Sequence, residues 1–547
     1  MKIKYLLMSA LACMALLSCQ KENSTPDNGG KEDSDGKDYM SVRFTMSGNS
    51  TRADGDFVAG DAAEVAVSQV RFLFFGSDGK QVADPYDLTS GAFSWTDGTG
   101  SIDKKSGAAI LVLSNKTANP ASIVAIANLD GTMLTNLTKS LTMDGLKTLY
   151  GNWADAAHTT SGNFVMANAV YQNGSAIQIG APVTDSDIFS TATAAQAHPV
   201  TISMEKNVAK IHVVKSGNWG DTSEKLGDKS IVFEAEKWWI DHDPDLATLV
   251  KPLSAGYSWS DWSGTFTWND PTNFRSYWAD QFALPSQGKY LHRAVNDGKA
   301  LDAYAYTNEN ATTAANSDNA TRILVQGSLK VDGAATSLVL WQSGIYKQSD
   351  FETILANRLS WIYKKDGTPA SGEAQKYKSV EKSDLTFTYN SNDNDNKITL
   401  GGVEIENYES TVTVAFASLG EGSLFKRNLD GTATALSAAE ISSALEEVHV
   451  KFPFYKEGRT YYFFNVVHNK AYTYKTGSAE EHPLYGVIRN HLYEISLTGV
   501  MGLGTPLPQD DSFDVVPQPV VDKNSYIAAE INILKYKEVD QEVVLGK

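Results

Sequence analysis

The stretch "YMSVRFTMSGNSTRADGD", residues 39–56, decides how the rest of the chain reads. Val42, Phe44 and Met46 alternate with Ser41, Arg43 and Thr45. A period of two places one set on a single face, so the run predicts a β-strand with one buried side. The polar "NSTRADGD" follows at once, with Arg52 set among small and acidic residues. Its plain reading is a loop between two strands. Its sharper reading is a hinge that a protease cuts, placed one strand into the folded body.

The same pattern recurs along the 547 residues. "AVSQVRFLFFGSDGK", "AAILVLSN" and "ASIVAIANL" read as buried strands, the first ending in a Gly-Ser-Asp-Gly turn. Aromatic residues sit in short Thr-, Val- and Ile-rich runs bounded by Gly, Asn and Asp, which predicts an all-β fold. The length calls for two or more domains. A formal net charge of -18 argues against nucleic acid as a partner. The two cysteines, Cys13 and Cys19, both fall in the first twenty residues, so the body has no disulfide and no thiolate metal cluster.

Lys2 and Lys4 precede the short apolar run "YLLMSALACMALL", which has the form of a signal peptide over residues 1–18. The "LLSC" ending at Cys19 resembles the lipobox of bacterial lipoproteins, which implies cleavage before Cys19 and its lipidation. Several acyl chains on one residue anchor stably where one does not. Residues 19–38 lack large apolar side chains and read as a disordered tether. As a flexible coil it would reach about 25 Å.

"HPVTISMEKNVAKIHVVKSG" reads as one long strand closing a first domain, residues 39–217; residues 218–547 form the second. Two helices are expected from capping boxes, one at Ser349 and Glu352, the other at Ser437 and Glu440. The chain ends in "SYIAAEINILKYKEVDQEVVLGK", residues 525–547. Ile527, Ala529, Ile531 and Ile533 alternate, and Val539, Val543 and Leu545 continue a second segment. This is a strand-forming tail with no following turn onto a partner; the ordinary alternative is a last strand paired in its own domain.

Catalytic signatures are missing. The chain has no G-x-S-x-G, no phosphate-binding Gly-Lys loop and no H-E-x-x-H. "DHDPD", residues 241–245, reads as a polar turn because neighbouring strand residues face opposite sides. The loop beginning at Asp393 has Ile398 where a calcium loop needs Gly. Trp259, Trp262 and Trp268 could stack on sugars but suit core packing better. No enzyme activity, metal or cofactor is expected.

A hinge to cut, an anchor ahead of it and a strand-forming tail suggest assembly. Removing the first strand exposes an unpaired edge, and a neighbour's tail could fill it by donor-strand complementation. The chain resembles the Bacteroidales fimbrillins, the type V pilins, and among them FimA- and Mfa-like major shaft subunits. The resemblance rests on "LLSC", on "TRA" at residues 51–53, and on "GNFVMANAVY", "MEKNVAKIHV" and "YYFFNVVHN". It rests most on "YGVIRNHLYEISLTGVMGLGTPLPQ", with Arg489, Asn490 and Tyr493, and is loose over 220–440.

That resemblance implies two transthyretin-like β-sandwich domains with a few short helices. It implies export to the outer membrane as a lipoprotein and a cut between Arg52 and Ala53 by an arginine-specific surface protease. The cut would release residues 19–52 with the Val42/Phe44/Met46 strand. It further implies a cell-surface polymer of identical subunits, with anchor and tip fimbrial proteins, acting in adhesion and biofilm. The alternative is a lipid-anchored carbohydrate-binding protein or a fimbrial tip adhesin.

Overall fold

The computed structural model describes residues 38–47, 61–97, 103–129, 131–160, 162–173, 176–217, 219–253, 284–291, 298–312, 319–390, 397–400, 403–406, 409–476, 480–507, 526–534 and 542–543. Cys19, Arg52, Ala53, the tether, the 393 loop, Trp259, Trp262 and Trp268, Val539 and Leu545 lie outside them. The described chain is all-β, with many strands and a few short helices.

The first sheet gathers strands distant in sequence. Its order is Tyr86–Thr89, Gln69–Phe75, Ser122–Ala127, Met166–Asn168, Val200–Lys206, Tyr39–Ser47, Asp103–Val112 and Ser94–Asp97. The apolar runs of the sequence form its middle: all six residues of Ser122–Ala127 are buried. Gly76 N–H donates to the Lys80 carbonyl and closes the turn after Gln69–Phe75. Phe72, Phe74, Ile123, Leu111, Ile202 and Trp153 belong to one apolar core beside this sheet.

The run expected as one long strand is two. Val200–Lys206 belongs to the first sheet, whereas Val208–Lys215 enters another, between Tyr304–Asn308 and Leu492–Met501. The break is Asn207, fully buried. Its N–H donates to Val165 and its side-chain amide to Leu249, both carbonyls of the first half. A side chain that must satisfy backbone groups off the ladder cannot continue it.

The second sheet faces one built from Asp221–Leu226, Lys229–Asp241, Arg322–Val331, Arg459–Asn465 and Thr505–Pro506. Ile211, Val213, Ile495 and Leu497 from one, and Phe233, Trp238, Val325 and Tyr462 from the other, form a common core. This is sandwich packing.

A third apolar cluster is made by residues 339–454 alone, including Phe351, Leu355, Ile362, Val412, Leu424 and Phe452. Alternation joins it to the second: Leu338 and Tyr455 belong to the second core, their neighbours Val339 and Phe454 to the third. The helix Ala438–Glu446 begins with the expected box, Ser437 and Glu440 each bonding the other's backbone N–H. The box at Ser349 does not form. Lys347 is the N-cap, so the helix Gln348–Arg358 starts earlier and Ser349 lies inside it. Gln348 N–H donates to Ser337, which fixes that start, and Glu352 pairs with Lys382 at 2.8 Å.

Candidate assembly site

The strand Tyr39–Ser47, the leading strand, lies in the interior of the first sheet. It runs parallel to Val200–Lys206, with Val42 opposite Val200, Phe44 opposite Ile202 and Met46 opposite Met204. On its other flank it runs antiparallel to Asp103–Val112, with Val42 opposite Ala109 and Phe44 opposite Gly107. Met40 and Val42 are fully buried in the first core, while Arg43 is exposed. Ser41, expected on the open side with Arg43, is buried as well, because the strand lies in the interior of the sheet with a neighbour on each flank. Outside the ladder, Tyr39 exchanges N–H···O bonds of 2.6 and 2.9 Å with Phe189, and Asp38 pairs with Lys116 at 2.5 Å.

Taking this strand away would not trim a margin. It would open a slot between two strands, each then carrying an unpaired edge. Ala109, Leu111, Val200, Ile202 and Met204, all buried, are the apolar side chains of its walls. Gly107 is fixed by packing: a Cβ there would stand 2.6 Å from the Trp95 ring.

The tail is not unpartnered. Tyr526–Leu534 lies antiparallel to Leu492–Met501, which corrects the expectation of a strand with no partner. Ile527, Ala529, Ile531 and Ile533 stand opposite Val500, Leu497, Ile495 and Tyr493. Those four are buried in the second core. The physical reason is that Leu492–Met501 has Val208–Lys215 on one flank and an edge to fill on the other. Among the described residues, the tail strand's other flank carries the two-residue Glu542–Val543, with Val543 opposite Ala529.

Between leading strand and tail stands a buried polar junction. Arg489, 1 % exposed, bonds Glu309 at 2.7 Å, the Asn207 side chain at 3.2 Å and the carbonyls of Thr248 and Leu249. Lys251 pairs with Glu205 at 2.7 Å, also in the interior. Asn490 takes a left-handed φ of 61° and donates its N–H to the Val208 carbonyl. The Tyr493 hydroxyl accepts from Ile488 N–H at 2.7 Å, and burial pushes this phenol up. Arg489, Asn490 and Tyr493 are thus brought together around the Asn207 crossing. Arg489's partner Glu309 and the neighbouring pair Glu205–Lys251 carry no sequence signal, because the pairings join residues far apart along the chain.

Glu64, in the turn at residues 62–65, is tied to the same region. Its carboxylate accepts from Tyr306 at 2.6 Å and from Asp61 N–H, and pairs with Lys210 at 2.8 Å. Burial alone would raise this carboxyl, but the bonds from Lys210 and Tyr306 outweigh it and hold the group below its ordinary 4.5. A depressed carboxyl adds stability above its unfolded value, and that contribution is lost as pH falls through the lower folded value. Glu64→Gln is therefore expected to lower the melting temperature at pH 7 and to lower it progressively less below about pH 4.5. Melts of both forms between pH 7 and 3 measure this; a gap that does not close in acid would contradict it.

In the segment 241–245, Asp241 pairs with Arg322 at 3.1 Å and Asp243 accepts from Thr307 at 2.7 Å. These carboxylates serve different partners.

Two family models match, one near each end of the chain. That of the major fimbrial subunit protein (FimA) matches residues 39–206, and that of the C-terminal part of major fimbrial subunit protein type IV, fimbrillin, matches 453–542. The chain belongs to the Bacteroidales fimbrillin family. In this fimbrillin the first match runs from the start of the leading strand to the last residue before Asn207, and the second takes in the Arg489 turn and the tail strand.

Solved structures similar to this fimbrillin include a fimbrilin (fimA) from Porphyromonas gingivalis, at 13% identity over 90% of this chain and 96% of that one, with a TM-score of 0.34. A fimbrial assembly protein from Parabacteroides distasonis is 13% identical over 54% of this chain and 86% of that one, with a TM-score of 0.28. The tip fimbrial protein Mfa3 from Porphyromonas gingivalis, truncated at its C-terminus, is 11% identical over 69% and 99%, with a TM-score of 0.28. No curated protein sequence matches the chain.

Proposed function

We propose that this fimbrillin is a shaft subunit of a cell-surface fimbrium. It is exported as a lipoprotein on Cys19, cut between Arg52 and Ala53, and polymerised when the tail of one copy enters the slot of the next. The polymer would serve adhesion and biofilm, with an arginine-specific surface protease, anchor and tip proteins as its other partners.

The observation that carries this reading is the interior position of the leading strand, which ends five residues before Arg52. While it is in place the sheet is complete and closed to an incoming strand. Once it leaves, a replacement gains two ladders. Leading strand and tail strand are both nine residues long. Both alternate in the same manner, Met40, Val42, Phe44 and Met46 in one and Ile527, Ala529, Ile531 and Ile533 in the other. In its own sheet the tail has one long partner and one of two residues; in the slot it would have two long ones. The chain is strongly acidic and stays so after the proposed cut, so subunits repel at long range and apolar burial and backbone pairing must drive the exchange. A tip subunit needs no donor strand, so the tail favours a shaft position.

Arg52→Ala is expected to remain lipidated and monomeric and to form no fibres by electron microscopy. A chain lacking residues 526–547 is expected to be cut and folded yet unable to extend a polymer. Normal fibres from Arg52→Ala would overturn the proposal. The N-terminal residue of protein taken from surface fibres, expected to be Ala53, checks the cut directly.

A further inference from the structure

The third cluster presents a face that the assembly does not use. A four-stranded sheet runs Tyr377–Ser379, Ile362–Lys365, Leu424–Arg427, Ala433–Ala435. Ile362 and Leu424 point into the core, and on the same side Lys364 pairs with Asp384 and Lys426 with Glu440. Alternation sends Tyr363, Lys365, Tyr377, Phe425 and Arg427 the other way. Trp361, 42 % exposed, is the turn residue immediately before the strand Ile362–Lys365.

The register makes these residues one patch. Tyr363 is opposite Phe425, and Lys365 is opposite Tyr377. Diagonal contacts complete it: Tyr377 meets Phe425 edge to face at 4.9 Å, Lys365 lies 5.8 Å over Phe425, and Arg427 lies 5.9 Å over Tyr363. The last strand places only Ala435 and Ala433 opposite Phe425 and Arg427; Phe425 itself is buried, and the accessible rings are the half-buried Tyr363 and Tyr377. None of the four strands contains an acidic residue. Lys365 and Arg427 are exposed, and among the described residues neither has a carboxylate within ion-pair distance. On a chain of net charge -18, two cations held over aromatic rings and left without an anion are a local reversal of sign.

We propose that this face binds an anionic sugar chain, one bearing carboxylates or sulfates on its rings. A sugar ring offers an apolar C–H face that packs on Trp361, Tyr363 or Tyr377. Its carboxylate or sulfate sits at the ring edge, where Lys365 and Arg427 reach it, Arg427 with a two-pronged donor set. Charge complementarity selects an anionic over a neutral chain. Two outward cations are too few for a polyphosphate backbone, whose affinity grows with each phosphate neutralised. The site is separate from the slot and the tail, so binding does not depend on polymerisation.

The test is titration calorimetry of the intact chain against defined oligosaccharides. Hyaluronan supplies carboxylates, chondroitin sulfate supplies sulfates as well, and dextran is the neutral control; oligo-dT and self-association by sedimentation are measured alongside. One or both anionic sugars should bind, and dextran should not. Trp361→Ala and Arg427→Ala, both exposed and outside the core, should keep the wild-type melting temperature and weaken binding about tenfold each. Trp361→Phe should retain most of it. Failure of both anionic sugars to bind overturns the proposal, as does binding unchanged in the two alanine variants. Equal binding of dextran or oligo-dT, or a change confined to self-association, overturns it too, the last assigning the face to a second copy.

Discussion

Arg489→Met is expected to destabilise the folded chain by about 3–5 kcal/mol, because removing one partner of a buried pair leaves the other charge unpaired and dry. Glu309, 2 % exposed, is that partner. The same change strips a donor from the Asn207 side chain and from the carbonyls of Thr248 and Leu249. Urea denaturation of both forms measures the loss. The double variant Arg489→Met/Glu309→Met should recover part of it, since a buried pair replaced by apolar groups is often neutral. If the single change cost less than about 1 kcal/mol, the size of a surface pair, the guanidinium would not be the interior tie described here. Fibres, if formed by the variant, should bend more at each subunit, because this junction joins the two sheets that flank Asn207.

The second expectation separates precursor from product. Val42→Asp puts a charge in the first core, at a residue with no exposed surface, and should cost the uncut chain about 3 kcal/mol or more. The proposed cut removes residue 42, so the mature subunit should not feel the change at all. Precursors carrying Arg52→Ala retain the strand and allow the comparison by urea denaturation. If Val42→Asp prevents export altogether, Val42→Ala, at about 2 kcal/mol in the precursor, takes its place. Fibres grown from a Val42→Ala precursor should dissociate at the wild-type temperature. A shifted dissociation temperature would mean that the leading strand stays in the polymer.

What the sequence disclosed was local. Period two at 41–46 pointed to a strand with one buried side; the structure buries Met40 and Val42 and exposes Arg43, but buries Ser41 too. The Ser437 box was legible because both its bonds lie within one turn. The Ser349 box had the same letters but lost to a tertiary contact, the bond from Gln348 N–H to Ser337 that starts the helix earlier. The apolar set moves from even positions, Val200, Ile202 and Met204, to odd ones, Ala209, Ile211 and Val213, across Asn207; a reading as one long strand passes over that phase slip, which marks the change of sheet. The tail's alternation showed a strand and could not show its neighbour, because strand pairing between 492–501 and 526–534 leaves no trace in either pattern. The third core went unseen for a similar reason: its strands resemble all the others, and only contacts distinguish which cluster they fill.

The change of sheet at Asn207 has a mechanical side. A subunit held by its neighbours at slot and tail would be pulled from both ends. Tension entering through a tail seated in the neighbour's slot reaches Leu492–Met501 along the chain and passes from there by hydrogen bonds to Val208–Lys215. There it crosses into the first sheet along the backbone itself, through residue 207 into Val200–Lys206, which borders the slot. The link between donor end and acceptor end is thus covalent at its midpoint and made of strand ladders loaded lengthwise elsewhere, so many backbone bonds must break together before the subunit extends.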